Sequence, residues 1–219
     1  MLAQQRCIMK ITAINGSPHK EGNTYLALAR IGAIIKENNI DFEIVHVGNK
    51  VIRGSTACGE CFKRANGTCV IEDDPVNETI QKMKDADGII LASPVYYSGV
   101  AGTMKSFLDR AFFVAGASGG LFRHKVGAAL VAVRRSGGSS TLDCLNHYLS
   151  FTEMIIASSN YWNIIHGRAA GEIQKDDEGM QTLDVLARNI VWILNMREAT
   201  KSTITPPAKA EKIVTSFIR

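Results

Sequence analysis

The sequence predicts an α/β domain on a doubly wound sheet of about five parallel strands, with helices on both faces. Three observations carry that expectation. Short apolar runs rich in β-branched residues alternate along the chain with longer amphipathic stretches. The runs are continuously apolar, as in strands buried on both faces. Three of them end in loops of unusual composition, and ligands of such sheets bind at the C-terminal strand ends where the winding direction reverses.

Ile11-Thr12-Ala13-Ile14 is the first strand, and the chain then breaks into Asn15-Gly16-Ser17-Pro18-His19-Lys20-Glu21-Gly22. It restarts at Asn23-Thr24 as an amphipathic helix to about Asn38. Phe42 to Val47 reads as the second strand, and Gly48 to Asp74 as irregular chain containing Cys58, Cys61 and Cys69. Pro75-Val76-Asn77-Glu78 opens a helix, with proline and acid suited to its first turn. Gly88 to Ala92 is a buried third strand running into Ser93-Pro94-Val95-Tyr96-Tyr97-Ser98-Gly99. Thr103 to about Val114 is a helix, followed by a glycine-rich loop from Gly116 to Gly120. Val126 to Val133 is the fourth strand and ends in Arg134-Arg135-Ser136-Gly137-Gly138. A helix from about Ser140 to Ile156, a short strand at Tyr161 to Ile165 and a helix from Gly179 to about Arg197 complete the domain. The polar tail from residue 200 to 219, with Pro206-Pro207, is expected to leave the core.

The chain has 219 residues, 46% hydrophobic and 21% charged, which suits one domain with a full core over residues 9–199. No apolar run approaches the ~20 residues needed to span a bilayer. The first residues lack the apolar stretch of a signal peptide, and Met9 is an equally good start, leaving residues 1–8 as a disordered leader. Five cysteines, an odd number, then argue for a reducing cytoplasm. The formal net charge of +4 is mild and spread out. It gives no reason to expect a nucleic-acid or membrane partner, and it suits attraction of a phosphate-bearing substrate.

The first loop is where a ligand phosphate fits. A strand, a tight polar turn and a helix start aim backbone N–H groups and the positive end of the helix dipole at one spot. Ser17 and Thr24 add hydroxyls, Asn23 an amide, and Gly16 and Gly22 leave room for close approach. No Lys precedes Thr24, which excludes a nucleotide-triphosphate loop, and G-x-G-x-x-G spacing is absent. The alternative for the loop in isolation is a plain strand-to-helix turn with Asn23 as N-cap. With the tyrosine and arginine loops beside it, the three fit a phosphorylated, planar, electron-accepting ligand.

Gly16-Ser17-Pro18 with Gly22-Asn23-Thr24, Ser93-Pro94-Val95-Tyr96, and Lys105-Ser106-Phe107-Leu108-Asp109-Arg110 together resemble the flavodoxin-like NAD(P)H-dependent FMN reductases, most closely their iron–sulfur flavoprotein branch. The resemblance covers roughly Met9 to Arg197. It implies that the first loop, with Ser17, His19, Gly22, Asn23 and Thr24, holds the FMN phosphate. It implies that Pro94, Val95, Tyr96, Tyr97, Ser98 and Gly99 line the isoalloxazine. The loop with Arg134, Arg135, Gly137 and Gly138 would close the far side of the ring. It also implies a homodimer or homotetramer, with the helix from Thr103 to Phe113 as an interface element.

Iron–sulfur members carry C-x-x-C-x-x-C and a later fourth cysteine. Here Ser55 stands where the first ligand would be, ahead of Cys58, Cys61 and Cys69. A cubane cluster takes four thiolates, so three cysteines and a serine argue against a permanent [4Fe–4S] group. No zinc spacing and no other metal motif is present. The three thiols are either packed remnants or contain a redox-active Cys58–Cys61 pair. Cys144 is expected as a buried small residue, Cys7 as a bystander, and Trp162 and Trp192 as core.

The activity expected is transfer of hydride from NAD(P)H to FMN and of electrons onward to a quinone, flavin, ferric complex or other small acceptor. The cofactor carries that chemistry, so no acid/base triad is needed and no catalytic side chain is assigned. Arg134 or Arg135 is the candidate charge that favours the reduced ring. The alternatives are a non-enzymatic flavin carrier, which a pI near 8.8 disfavours, and a redox sensor built on the cysteine loop.

Overall fold

In the computed structural model, residues 8–215 are described; residues 1–7 of the expected leader, Cys7 among them, lie outside them. Four parallel strands and a divided fifth position form the sheet: β1 (Lys10–Asn15), β2 (Asp41–His46), β3 (Gly88–Tyr96), β5 (Val126–Val133), then the short β6 (Ile155–Ile156) and β7 (Ile164–His166). Their order is β2-β1-β3-β5-β6, with β7 also on β5, as the flavodoxin-like resemblance implies. All of these pairings are parallel, and two-residue β4 (Gly99–Val100) adds an antiparallel turn to β3.

Alternation along the strands divides the core in two. Ile14, Ile89, Leu91, Ala129 and Val131 face one cluster with α3 (Val76–Asp85), α4 (Gly102–Ala117) and α5 (Gly138–Phe151). Ile11, Ala13, Ile90, Ala92 and Leu130 face the other, beneath α1 (Asn23–Glu37) and α6 (Asp177–Thr200). The winding reverses between β1 and β3, where Gly16 N–H donates to the Ala92 carbonyl at 2.9 Å. An ideal Cβ on Gly16 would stand 2.6 Å from Met104 Cγ, so only glycine lets α4 close against this crossing.

Several boundaries differ from the sequence reading. The third strand runs four residues beyond Ala92, because Ser93, Pro94, Val95 and Tyr96 stay extended and turn back into β4. Within the irregular stretch, residues 60–64 form a short helix, α2 (Glu60–Arg64). The fifth helix stops at Phe151, since Glu153 adopts φ +56°, and Ile155–Ile156 becomes strand paired with Val126 and Gly127. The last strand starts at Ile164, not Tyr161, because Asn163 Nδ2 donates to the Ala129 carbonyl and Val131 N–H to the Asn163 carbonyl, both at 2.9 Å. Trp162 and Trp192 are 60% and 63% exposed, so neither belongs to the core, and Cys144 is only half-buried. Residues 201–215 are exposed, with the carbonyls of Pro207 and Ala208 accepting from Arg123. No helix among the described residues is long and apolar enough to cross a membrane.

Candidate cofactor site

Asn15 builds the first loop. It ends β1 fully buried, and its side chain accepts from Ser17 N–H at 3.0 Å while donating to the Lys20 carbonyl at 3.2 Å. Its main-chain carbonyl accepts from Val47 and Gly48 N–H, tying the end of β2 to the same point. His46 Nε2 lies 2.7 Å from the Ser17 carbonyl. Gly48 packs so closely that an ideal Cβ would lie 2.1 Å from that carbonyl oxygen. The loop is therefore held from beneath before any ligand arrives, an arrangement that limits the entropy lost on binding.

Gly22, in extended conformation, precedes α1; no side chain caps the helix and its first turn carries no acid. Its N–H groups are thus available to an anion. Ser17 and Thr24 are buried to 4% and 1% exposure and line the cavity there. Ser17 Oγ accepts from His19 N–H at 3.1 Å, which leaves its own proton to donate. Asn23 departs from its expected role. Its Nδ2 donates to the Ala169 carbonyl at 3.0 Å and its Oδ1 accepts from Gly171 N–H at 2.9 Å, so the amide clamps the loop after β7.

The cavity measures about 700 Å³ and opens at the C-terminal strand ends, within the ~300–1,000 Å³ usual for cofactor sites. Ser17, His19, Gly22, Asn23, Thr24, Pro94, Val95, Tyr96 and Arg134 all line it. Tyr97, Ser98 and Gly99 do not. Tyr97 (φ +49°) and Ser98 (φ +58°) are the central residues of a tight hairpin turn of the type that needs two positive φ values. Ser93 Oγ braces that hairpin, accepting from Ala101 N–H and donating to the Pro94 carbonyl. Arg135, Gly137 and Gly138 line a neighbouring cavity of about 400 Å³. At Gly137, φ is +83° and an ideal Cβ would lie 2.7 Å from Ser98 Cα, so this glycine serves contact between the arginine loop and the hairpin.

Sequence reasoning missed Asn15, Gly48 and the wall formed by Gly167, Arg168 and Ala170. A buried polar residue at a strand end is a readable signal for Asn15. The other residues reach the site only through long-range packing. Lys20, Arg134 and Arg168 bring cations to the cavity, and none of them is in an ion pair among the described residues.

Ser55, Cys58, Cys61 and Cys69 converge elsewhere, on a crevice of about 20 Å³ between α2 and α4. Ser55 Oγ accepts from Ala57 N–H at 3.2 Å. The exposed Cys58 thiol is lowered by hydrogen bonding from Glu60 N–H, then from Thr56, whereas burial pushes the Cys61 thiol up. Beside them the buried Arg110 is paired with Asp74 and donates to the Ile71 carbonyl, while its Nε has no partner. Burial opposes the Arg110 charge, and hydrogen bonds with Asp74 and Cys69 outweigh it. Among the described residues no three His, Cys, Asp or Glu side chains stand close enough to share a metal.

The family model for NADPH-dependent FMN reductases matches residues 9–169, which contain both the phosphate-type loop and the hairpin. The chain belongs to that family. It is an FMN-dependent oxidoreductase family by description, and the curated relatives are flavoproteins. An iron–sulfur flavoprotein of Methanocaldococcus jannaschii is 33% identical over 195 residues, covering 86% of this chain and 98% of the relative. One of Methanosarcina thermophila is 33% identical over 190 residues, covering 86% and 96%. RosB superposes with a TM-score of 0.67 at 14% identity, covering 96% of this chain and 94% of that one. An archaeal flavodoxin superposes at 0.54 and 19% identity, covering 85% and 99%, so the flavodoxin-like fold is shared across distant sequences.

Proposed function

We propose that the 700 Å³ cavity binds FMN, and that the chain oxidises NAD(P)H and reduces a small acceptor such as a quinone, a free flavin or a ferric complex. The observation that carries this reading is the convergence of an uncapped α1 start, the buried Ser17 and Thr24, the Pro94–Tyr96 edge and Arg134 on one cavity. A phosphate fits the first two of these, a flat ring the third and an electron-rich ring edge the fourth.

When bound, FMN supplies the redox chemistry, accepting a hydride and releasing electrons. The protein binds and orients. Ser17 and Thr24 donate to the phosphate with the α1 N–H groups, and Pro94, Val95 and Tyr96 support the edge of the ring. Arg134 sets positive charge beside it and so favours the reduced state. The exposed wall at Gly167 and Arg168 is the side from which the dinucleotide and the acceptor enter.

The relatives' names include an iron–sulfur group, and this chain's donor set does not fit one. A serine replaces the first thiol, its hydroxyl is engaged with Ala57 N–H, and the remaining thiols border a crevice far smaller than a cubane. Assembly as a homodimer or homotetramer through α4 is part of the same proposal, since Phe113 on that helix and Phe62 packed against it within the chain stay 45% and 58% exposed.

Anaerobic mixing of the flavin-loaded protein with NADH or NADPH tests the reading. Bleaching of the flavin band followed by turnover with ferricyanide or a soluble quinone is the expected result. Loaded protein that no dinucleotide reduces would leave a carrier, and the enzymatic reading would fall.

A further inference from the structure

Between β6 and β7 the chain leaves the sheet edge and presents Tyr161 and Trp162, 59% and 60% exposed, as a tilted pair with ring centroids 4.7 Å apart. Two large aromatics displayed together at the sheet edge, just ahead of β7, contribute little to the core. They wall the neighbouring cavity of about 400 Å³, with Arg135 on its rim and Ile164 beneath. A trough lined by Arg134, His166, Gly167 and Arg168 lies between this cavity and the flavin cavity. Arg134, Gly167 and Arg168 belong to both trough and flavin cavity, and His166 to both trough and aromatic cavity.

Two of the three acids along this path are already engaged, and the third, Glu178, lines the aromatic cavity with Arg135 and has no ion-pair partner among the described residues. The Asp176 carboxylate accepts from His166 and Gly179 N–H, and that of Glu172 from Arg168 and Ala169 N–H. The three arginines have no ion-pair partner among the described residues. A flat ring, a doubly charged linker and a second flat ring therefore match the path from end to end.

We infer that the Tyr161–Trp162 cavity binds the adenosine end of the hydride donor. Trp162 stacks on the purine, Arg135 meets the adenosine-side phosphate of the pyrophosphate, and Arg134 and Arg168 flank the other phosphate as the linker crosses to the flavin cavity. This rests on the reading that the first cavity holds FMN. An acceptor quinone has no use for a line of three arginines, which is why the dinucleotide is the occupant chosen.

The test uses flavin-loaded protein and AMP, which has the purine and phosphate but no nicotinamide. AMP is expected to quench tryptophan fluorescence saturably and to compete with NAD(P)H in steady state. Trp162→Ala should weaken AMP binding and raise the KM for the dinucleotide about tenfold, the scale of one lost base–aromatic stack. Flavin content should not change, Trp162→Phe should restore most of the affinity, and Trp192→Phe should leave AMP affinity as in the parent. AMP that neither quenches nor competes, or a Trp162→Ala protein with parental KM, overturns the inference while NAD(P)H turnover stands. Saturable AMP binding that depends on Trp162, in a protein whose flavin no dinucleotide reduces, upholds the cavity and removes the enzymatic reading instead.

Discussion

His46 Nε2 lies 2.7 Å from the carbonyl oxygen of Ser17, a bond that joins the end of β2 to the loop after β1. A carbonyl only accepts, so the imidazole carries its proton on Nε2 here. The bond helps fix the loop in which the Ser17 hydroxyl and the α1 N–H groups share one direction. His46→Ala should raise the dissociation constant for FMN roughly three- to tenfold, the loss of about 0.5–1.5 kcal/mol for one neutral hydrogen bond. Fluorescence titration of the deflavinated protein measures it, and parental affinity would show that Asn15 alone holds the loop.

Removing the hydroxyls that meet the phosphate should cost more. Thr24→Ala or Ser17→Ala should weaken FMN binding by about 1–3 kcal/mol, as when a hydrogen bond to a charged group is lost. Thr24→Ser is the control, since it keeps the hydroxyl. Riboflavin, lacking the phosphate, should bind parent and Ala variants alike.

The two arginines should separate in their effect on the flavin potential, because only Arg134 lines the candidate flavin cavity. Arg134→Met should lower the two-electron midpoint potential by tens of millivolts, with 30 mV equal to about 1.4 kcal/mol. Arg135→Met should leave the potential alone and raise the KM for the dinucleotide. Spectroelectrochemical titration beside steady-state kinetics decides both. A shifted potential in Arg135→Met would reverse their roles.

Anaerobically purified protein should contain FMN without stoichiometric iron or acid-labile sulfide. Ser55, held by its bond from Ala57 N–H, is the reason. Iron near four per chain would require a fourth ligand outside the Ser55, Cys58, Cys61 and Cys69 group.

Alkaline stability should carry the mark of Tyr148. Burial, then its hydrogen bond to Asp109, push its hydroxyl up to about 12, above the ordinary value. The folded state therefore favours the neutral phenol. That contribution is complete below pH ~10, where the unfolded phenol titrates, and fades as pH rises toward 12. Tyr148→Phe should lose stability at neutral pH and fall less steeply between pH 10 and 12 in thermal unfolding. Parallel curves for the two proteins would count against it.

What could be read without the structure was whatever neighbours in sequence decide. Ile11 to Thr24 announces strand, turn and helix through residue type alone, and the structure places Ser17 and Thr24 together in one cavity. Proximity in sequence places the Asn23 amide at a phosphate, whereas a turn 146 residues away claims it. Glu153 and Tyr97 take positive φ without being glycine, so neither the end of α5 nor the hairpin turn is marked by composition. The division of the fifth sheet position into β6 and β7, which lifts Trp162 out of the core, follows from pairing with β5 at both ends. No local periodicity records such pairing.

Gly137 meets Ser98 with no side chain between them, and Ser140 Oγ donates to the Ser98 carbonyl at 2.8 Å. The hairpin that carries Tyr96 and the loop that carries Arg135 are in this way one lever, resting on a backbone contact too tight to slip. A displacement at either end is delivered to the other as motion rather than absorbed as slack. With FMN and the dinucleotide bound as proposed, occupancy of the two cavities would be linked, and because such linkage is a single free energy, each ligand would alter the other's affinity by the same factor.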